Sequence, residues 1–115
     1  MVKSSKKRFE SRKNSFKTKN YEWACFQAQQ AVEKGLKAIY IKKYKKLLKV
    51  HDLVLLSKKI NAPRKIIILC SKINPAYLDA RYPDISKSYT EEDSKEILNY
   101  ALDVLKWIEA NLSKN

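Results

Sequence analysis

The central part of the chain, residues 21–43, contains no proline, and its small and apolar residues recur at helical spacing. This pattern lasts for about six turns and therefore predicts a long α-helix. The chain has one glycine and three prolines in 115 residues, too few turn-forming residues for a β protein with many turns. One face of the helix carries small residues only, spaced by four, three, four and three: Ala24, Ala28, Ala31, Gly35 and Ala38. The glycine in this face indicates that the backbone of a neighbouring helix passes close by.

Shorter helices are predicted on either side of the prolines that follow. Asp52 is a suitable N-cap for a short helix, and Pro63 suits the first turn of the next one. Residues 66–69 have the composition of a buried strand, but a single strand has nothing to pair with, so a helix is preferred. Pro75 begins another short helical turn. Thr90 is followed by three acidic residues, which is typical of the start of a helix, and this last helix reaches the C-terminal part of the chain.

These elements predict an all-α fold, an up-and-down bundle of four principal helices with short links and short extra helical turns. A chain of 115 residues is long enough for one hydrophobic core and too short for two. We assign residues 1–19 to a basic N-terminal segment that forms the first helix. Residues 20–115 then form the bundle as a single domain.

The positive charge is concentrated in two parts of the chain. There are 25 Lys and Arg residues against 12 Asp and Glu, a formal net charge of +13. Residues 1–20 carry eight basic groups and one acid, and residues 34–50 carry seven basic groups and no acid. Two interpretations of the second cluster stay open, because basic side chains beside Tyr40 and Tyr44 can bind phosphates, whereas lysines at a helix C-terminus complement its dipole. This basic patch consists of Lys42, Lys43, Lys45, Lys46 and Lys49.

Few catalytic or ligand-binding motifs are compatible with this composition. His51 is the only histidine, so histidine-based acid–base chemistry would have to use it, although a plain role at a helix junction is the simpler interpretation. We expect no metal site, because there is no second histidine and no cysteine close to His51 in sequence. One glycine cannot form a glycine-rich phosphate loop, and no cofactor is predicted.

The sequence also limits the compartment in which the protein is expected to work. No apolar run approaches the roughly 18 residues of a membrane-spanning helix, and the N-terminus lacks the apolar core of a secretory signal. Cys25 and Cys70 are too few for a disulfide scaffold and are predicted to be small buried residues. We therefore expect a cytoplasmic protein that does not bind membranes.

Three sequence blocks resemble one known family when they are read in order. The first, within residues 21–38, contains ACFQAQQAVEKGLKA, and the second is the triplet His51-Asp52-Leu53. The third, residues 74–84, reads NPAYLDARYPD. Together they resemble the HEPN domains (higher eukaryotes and prokaryotes nucleotide-binding) over about residues 20–110. The resemblance implies a bundle of four or more helices that is usually dimeric.

The family resemblance also implies two kinds of activity. Many members act beside a separately encoded minimal nucleotidyltransferase in toxin–antitoxin-like pairs, and others are metal-independent ribonucleases with an Arg-x(4–6)-His motif. In this chain the arginine would have to stand at position 44, 45 or 46, which are Tyr44, Lys45 and Lys46. The motif is absent, and we therefore expect no catalytic residue of the family's usual kind.

What the resemblance implies for a binding site is a set of polar positions. A structural role is the alternative for several of them, with Gln30 and Glu33 joining helices and Arg81 pairing with an acid across the bundle. The candidate residues for binding a nucleotide or a partner are Gln30, Glu33, Lys34, Lys37, His51, Arg81 and Tyr82.

Three functions follow as hypotheses. The first is a non-catalytic, dimeric HEPN partner of a nucleotidyltransferase in a toxin–antitoxin-like pair, able to bind a nucleotide or nucleic acid. The second is a divergent ribonuclease toxin that uses His51 with Arg81 or a lysine. The third is a general RNA- or polyanion-binding protein that uses residues 1–20 and 42–49.

Overall fold

The computed structural model of the protein describes residues 13–81 and 89–114 and contains only helices and their connections over these ranges. This confirms the prediction of an all-α fold, including a helix where residues 66–69 could have formed a strand. None of these helices is long and apolar enough to cross a membrane. The helices are α1 (Lys13–Tyr44), α2 (Leu53–Lys59), α3 (Arg64–Ile73), α4 (Pro75–Arg81) and α5 (Glu91–Ser113).

Helix α1 is the longest element and confirms the predicted central helix. Its 32 residues give a rod of about 48 Å. The helix is already formed at Lys13 and continues through residues 13–19 without a break. The remainder of the predicted N-terminal helix, residues 1–12, lies outside the described residues.

The starts of the later helices are fixed by their caps. The side chain of Asp52 accepts hydrogen bonds from the backbone N–H groups of Val54 and Leu55, as predicted for an N-cap. Thr90 and Asp93 form a reciprocal capping box, in which Thr90 Oγ1 accepts from Asp93 N at 3.0 Å and Thr90 N donates to Asp93 Oδ2 at 3.1 Å. Pro63 stands at the N-cap of α3, one residue before the helical turn in which the sequence placed it.

The link between α1 and α2 brings the chain back along α1. His51 stands just before α2, and its Nδ1 atom lies 2.9 Å from Oε2 of Glu33 in the middle of α1. At the end of α2, Lys59 O accepts a hydrogen bond from the hydroxyl of Tyr44, the last residue of α1. Helices α1 and α2 therefore run in the same direction, and residues 45–52 form the non-helical return between them.

Helix α5 also runs parallel to α1, and its end lies beside the end of α1. Lys42 Nζ donates to the backbone oxygen of Leu112 at 3.0 Å and also to that of Lys114. Helix α3 runs in the opposite direction, so that Asn74, just after it, accepts a hydrogen bond from Leu53 N at 2.8 Å. One end of the bundle thus collects the C-termini of three helices.

A single main core lies between α1, α2, α3 and α5. It includes Leu36 from α1, Leu56 from α2, Ile73 from α3 and Val104 from α5, each fully buried. Cys70 also belongs to this core, and burial raises the pKa of its thiol to about 11, above a small opposing effect of a hydrogen bond with Ser57. A second small cluster contains Cys25, Ala76 and Tyr89. Both cysteines are free and buried, as predicted.

Gly35 of α1 packs tightly against Ile108 of α5. A Cβ atom at this position would lie 2.8 Å from Ile108 Cδ1 and 2.9 Å from Ile108 Cγ2. The sequence predicted close approach of a neighbouring backbone, but the neighbouring atoms belong to a side chain. Ile108 is only 4% exposed and β-branched, so it has little room to move away.

We predict that Gly35→Ala lowers the free energy of unfolding by about 1 kcal/mol, because the overpacking cost exceeds the gain in helix propensity. In an Ile108→Ala background the same change should raise the free energy of unfolding by about 1 kcal/mol, since the obstructing side chain is gone. Urea unfolding followed by circular dichroism measures both values. Equal effects in the two backgrounds would contradict the role of Ile108.

Candidate functional site

Glu33 is a buried carboxylate at the centre of the polar residues on α1. Its side chain lies next to those of Lys37, one turn later on α1, and His51, in the returning segment. Lys37 Nζ and His51 Nδ1 each lie 2.9 Å from Glu33 Oε2. Two donors from different parts of the chain therefore meet on one carboxylate oxygen.

Two glutamines complete the hydrogen bonding around Glu33. Gln29 Nε2 donates to Glu33 Oε1 and to the backbone oxygen of His51, both at 3.3 Å. Gln30 Nε2 donates to Gln29 Oε1 at 2.7 Å and to Glu33 Oε1 at 3.4 Å. Gln29 is fully buried. The network thus links α1 to the segment before α2 through side chains and backbone together.

The ionisation of Glu33 follows from this network. Burial by itself raises the pKa of the carboxyl, but the hydrogen bonds and charges of Lys37 and His51 together outweigh it and hold the pKa below its ordinary value. Glu33 is therefore an anion at neutral pH. Since an ionised carboxylate only accepts hydrogen bonds, Nδ1 of His51 carries the proton in this contact.

The other edge of the His51 ring is available to a ligand. The His51 side chain is 53% exposed, and its ring stacks on Tyr77 of α4 with centroids 4.7 Å apart and planes inclined by 17°. Because Nδ1 directs its proton to Glu33, Nε2 is a hydrogen-bond acceptor whenever the ring carries a single proton. The Glu33 carboxylate and the Tyr77 ring thus fix both the tautomer and the orientation of His51.

An open cavity of about 490 Å³ begins at His51. On its wall, Asn74 Nδ2 donates to Asp52 Oδ1 at 2.9 Å. This bond, assisted by the backbone N–H groups of Leu55 and Val54, holds the pKa of Asp52 below its ordinary value despite partial burial. The cavity therefore combines an anionic wall with imidazole, amide and aromatic groups. It is lined by His51, Asp52, Ser71, Asn74, Pro75, Tyr77 and Leu78.

The structure brings together four of the seven residues predicted for this site. These four are Gln30, Glu33, Lys37 and His51. Lys34 is exposed and forms no hydrogen bond or ion pair with another described residue. The side chain of Arg81 and all of Tyr82 lie outside the described residues, so their predicted roles stay predictions.

Sequence reasoning missed Gln29, Asn74 and Tyr77 as site residues. A signal for Gln29 was present, because it occupies a position in the buried stripe of α1 that otherwise carries Cys25 and Val32. A polar residue in such a stripe requires hydrogen-bond partners. Asn74 and Tyr77 belong to the third sequence block, but only the folded chain places them next to His51.

The basic patch begins at the C-terminal end of α1 and follows the returning segment to Lys49, which stands two residues before His51. Lys42 binds the carbonyl groups at the end of α5, and Lys43 Nζ donates to Ile60 O at 3.1 Å. Lys45, Lys46 and Lys49 are exposed. Over the described residues, no group of three or more His, Cys, Asp or Glu side chains could hold a metal ion.

The chain was also compared with known protein families. The family model for the HEPN domain matches residues 1–111. The chain therefore belongs to the HEPN family. No curated protein and no solved structure is significantly similar to it.

We predict that Glu33→Gln lowers the free energy of unfolding by about 1–2 kcal/mol near neutral pH, because charge-assisted hydrogen bonds are lost. Because the pKa of Glu33 is lowered in the folded chain, its ionised carboxylate stabilises the fold at pH values above the ordinary pKa of 4.5. This contribution disappears as the pH falls through the lowered pKa. The difference between wild type and variant should therefore become smaller as the pH falls below 4.5.

Urea unfolding of the two proteins at several pH values measures this difference. Glu96→Gln is the matched control, because Glu96 is exposed and unpaired among the described residues. A difference for Glu33→Gln that stays constant down to the lowest pH would contradict the assignment of Glu33 as a stabilising anion.

Proposed function

We propose that the protein is a non-catalytic, dimeric HEPN subunit. In this proposal it acts with a separately encoded nucleotidyltransferase in a toxin–antitoxin-like pair, and it binds a nucleotide at the cavity beside His51. The proposal is supported by membership of the HEPN family over residues 1–111 and by the surroundings of His51.

The proposal that the protein is non-catalytic rests on which residue His51 contacts. In the family's ribonucleases an arginine a few residues earlier accompanies the histidine, and here residues 44–46 contain none. His51 instead contacts Glu33, eleven residues before Tyr44 and about 16 Å from it along α1. A lysine at the end of α1 is thus poorly placed to replace the missing arginine.

The chemistry of the cavity favours the nucleoside part of a nucleotide. Asp52 can accept hydrogen bonds from a ribose hydroxyl or an exocyclic amine, and Nε2 of His51 is a further acceptor. The stacked rings of His51 and Tyr77 together add an aromatic surface for a base. Because Asp52 is anionic, we place the phosphates outside the cavity, in solvent or beside a partner protein.

A co-expression experiment tests the partner. The chain and the nucleotidyltransferase encoded beside its gene should form a complex that survives affinity purification and size-exclusion chromatography. Light scattering of the chain alone should give the mass of a dimer. A nucleotidyltransferase of similar size from an unrelated gene pair is the control. The absence of such a neighbouring gene, or recovery of the chain without it, would contradict the proposed pair.

A titration with adenosine monophosphate tests the cavity. We expect backbone NMR shifts around residues 51–54 and 74–78, and Tyr77→Ala should weaken binding by about 5- to 100-fold through loss of base stacking. Tyr44→Ala removes an exposed tyrosine at the other end of the bundle and should leave the affinity unchanged. Equal effects of the two variants would reject the cavity as the nucleotide site.

The geometry of His51 favours one alternative, a divergent ribonuclease. Glu33 orients the ring so that the exposed Nε2 can act as a general base toward a ribose hydroxyl. Incubation with transfer RNA and messenger RNA would then give cleavage products that are lost in His51→Ala and reduced in Glu33→Gln. Intact RNA after long incubation with the wild-type protein would exclude this activity and favour the binding role.

A further inference from the structure

One end of the bundle carries a large positive charge that the proposed nucleotide site does not use. We call it the basic end and define it by the last turns of α1, α2 and α5, the first turn of α3 and the loop residues 45–49. Residues 42–65 contain nine Lys and Arg side chains, and Asp52, their one acid, lies at the cavity. The nine cations are all exposed.

None of these cations is paired with a carboxylate among the described residues. The ion pairs there involve Glu33 and Glu91, both away from the basic end. Exposed like charges within about 8 Å of one another repel, since this is the screening length at physiological salt. A cluster of this kind therefore reduces the stability of the folded chain unless something compensates for it.

Helix dipoles compensate for only a small part of the charge. Three helix C-termini contribute about −0.5 each and one N-terminus about +0.5, so the dipoles supply about −1 against nine cations. Lys42 and Lys43 are explained in this way, because their ammonium groups bind carbonyl groups at the ends of α5 and α2. Of the other seven cations, Lys58 interacts electrostatically with Asp52, and six have no such explanation.

The composition of the basic end favours a phosphate polymer as its ligand. A bilayer would require a broad apolar surface that can insert into it. Among the described large apolar side chains at the basic end, only Leu47 is more than half exposed, at 73%. Ile41, Tyr44 and Leu112 are each about 40% exposed. Lysines on several elements suit a phosphate backbone, because they act as mobile point charges that need no fixed geometry.

We propose that the basic end binds the phosphate backbone of a nucleic acid, independently of its sequence. The lysines neutralise phosphates and release counterions, and they make no contact that would distinguish bases. The binding surface comes within two residues of the His51 cavity at Lys49, but it does not depend on the function proposed for that cavity.

The experiment measures affinity for RNA and DNA duplexes of about 20 base pairs and the same sequence by fluorescence anisotropy, over a range of salt. The full chain should bind both duplexes. The triple variant Lys45→Ala/Lys46→Ala/Lys65→Ala, which leaves Lys49 beside the cavity in place, should reduce the slope of log affinity against log salt by about 3, at about 0.9 per phosphate contact. Its affinity at low salt should fall by at least about tenfold.

The matched control is Lys72→Ala/Lys95→Ala/Lys106→Ala, which removes the same charge from α3 and α5 away from the basic end. It should keep most of the affinity and nearly all of the slope. Equal losses in the two triple variants would overturn the proposal, because net charge alone would then explain binding. A salt-independent affinity would overturn it too, as would binding only to phosphatidylserine vesicles that depends on Leu47.

Discussion

The buried carboxylate of Glu33 is the interaction on which the rest of the structure depends. An unpaired charge at this depth would be expensive, so the carboxylate requires the donors that surround it. One of them, His51, comes from the segment that returns the chain to the middle of α1, and Gln29 holds the backbone of the same residue. The same contacts set the start of α2 and orient the imidazole. Stability and the candidate site therefore share one network.

The cavity and the basic end have opposite electrostatic character. The cavity, beside the middle of α1, has Asp52 and Glu33 close to its histidine, whereas the basic end has lysines from several elements. The basic end follows from the topology, because three parallel helices direct their C-termini to the same end. A nucleoside in the cavity and a phosphate chain at the basic end are therefore compatible with one folded chain.

The fold was largely predictable from local signals, and the site was predictable only in part. The stripe of α1 and the caps at Asp52 and Thr90 depend on neighbouring residues, so the sequence alone identified them. The polar positions on α1 came from the family resemblance. The stacking of Tyr77 on His51 joins residues far apart in sequence, and no spacing rule anticipates it. The sequence likewise assigned Lys42 and Lys43 to a surface patch, because it does not show that they bind backbone carbonyl groups of other helices.

The pairing of the first helix with the last has a consequence for how the protein folds in the cell. Gly35 packs against Ile108, and Lys42 binds the carbonyl groups at the end of α5, so the core is closed by contacts between residues about 70 positions apart. Helical proteins usually rely on more local contacts and fold quickly for that reason. Here the part of α1 that packs against α5 stays uncovered on the ribosome until α5 has been synthesised. Until then the nascent chain exposes apolar side chains of α1 such as Leu36, which other chains can contact.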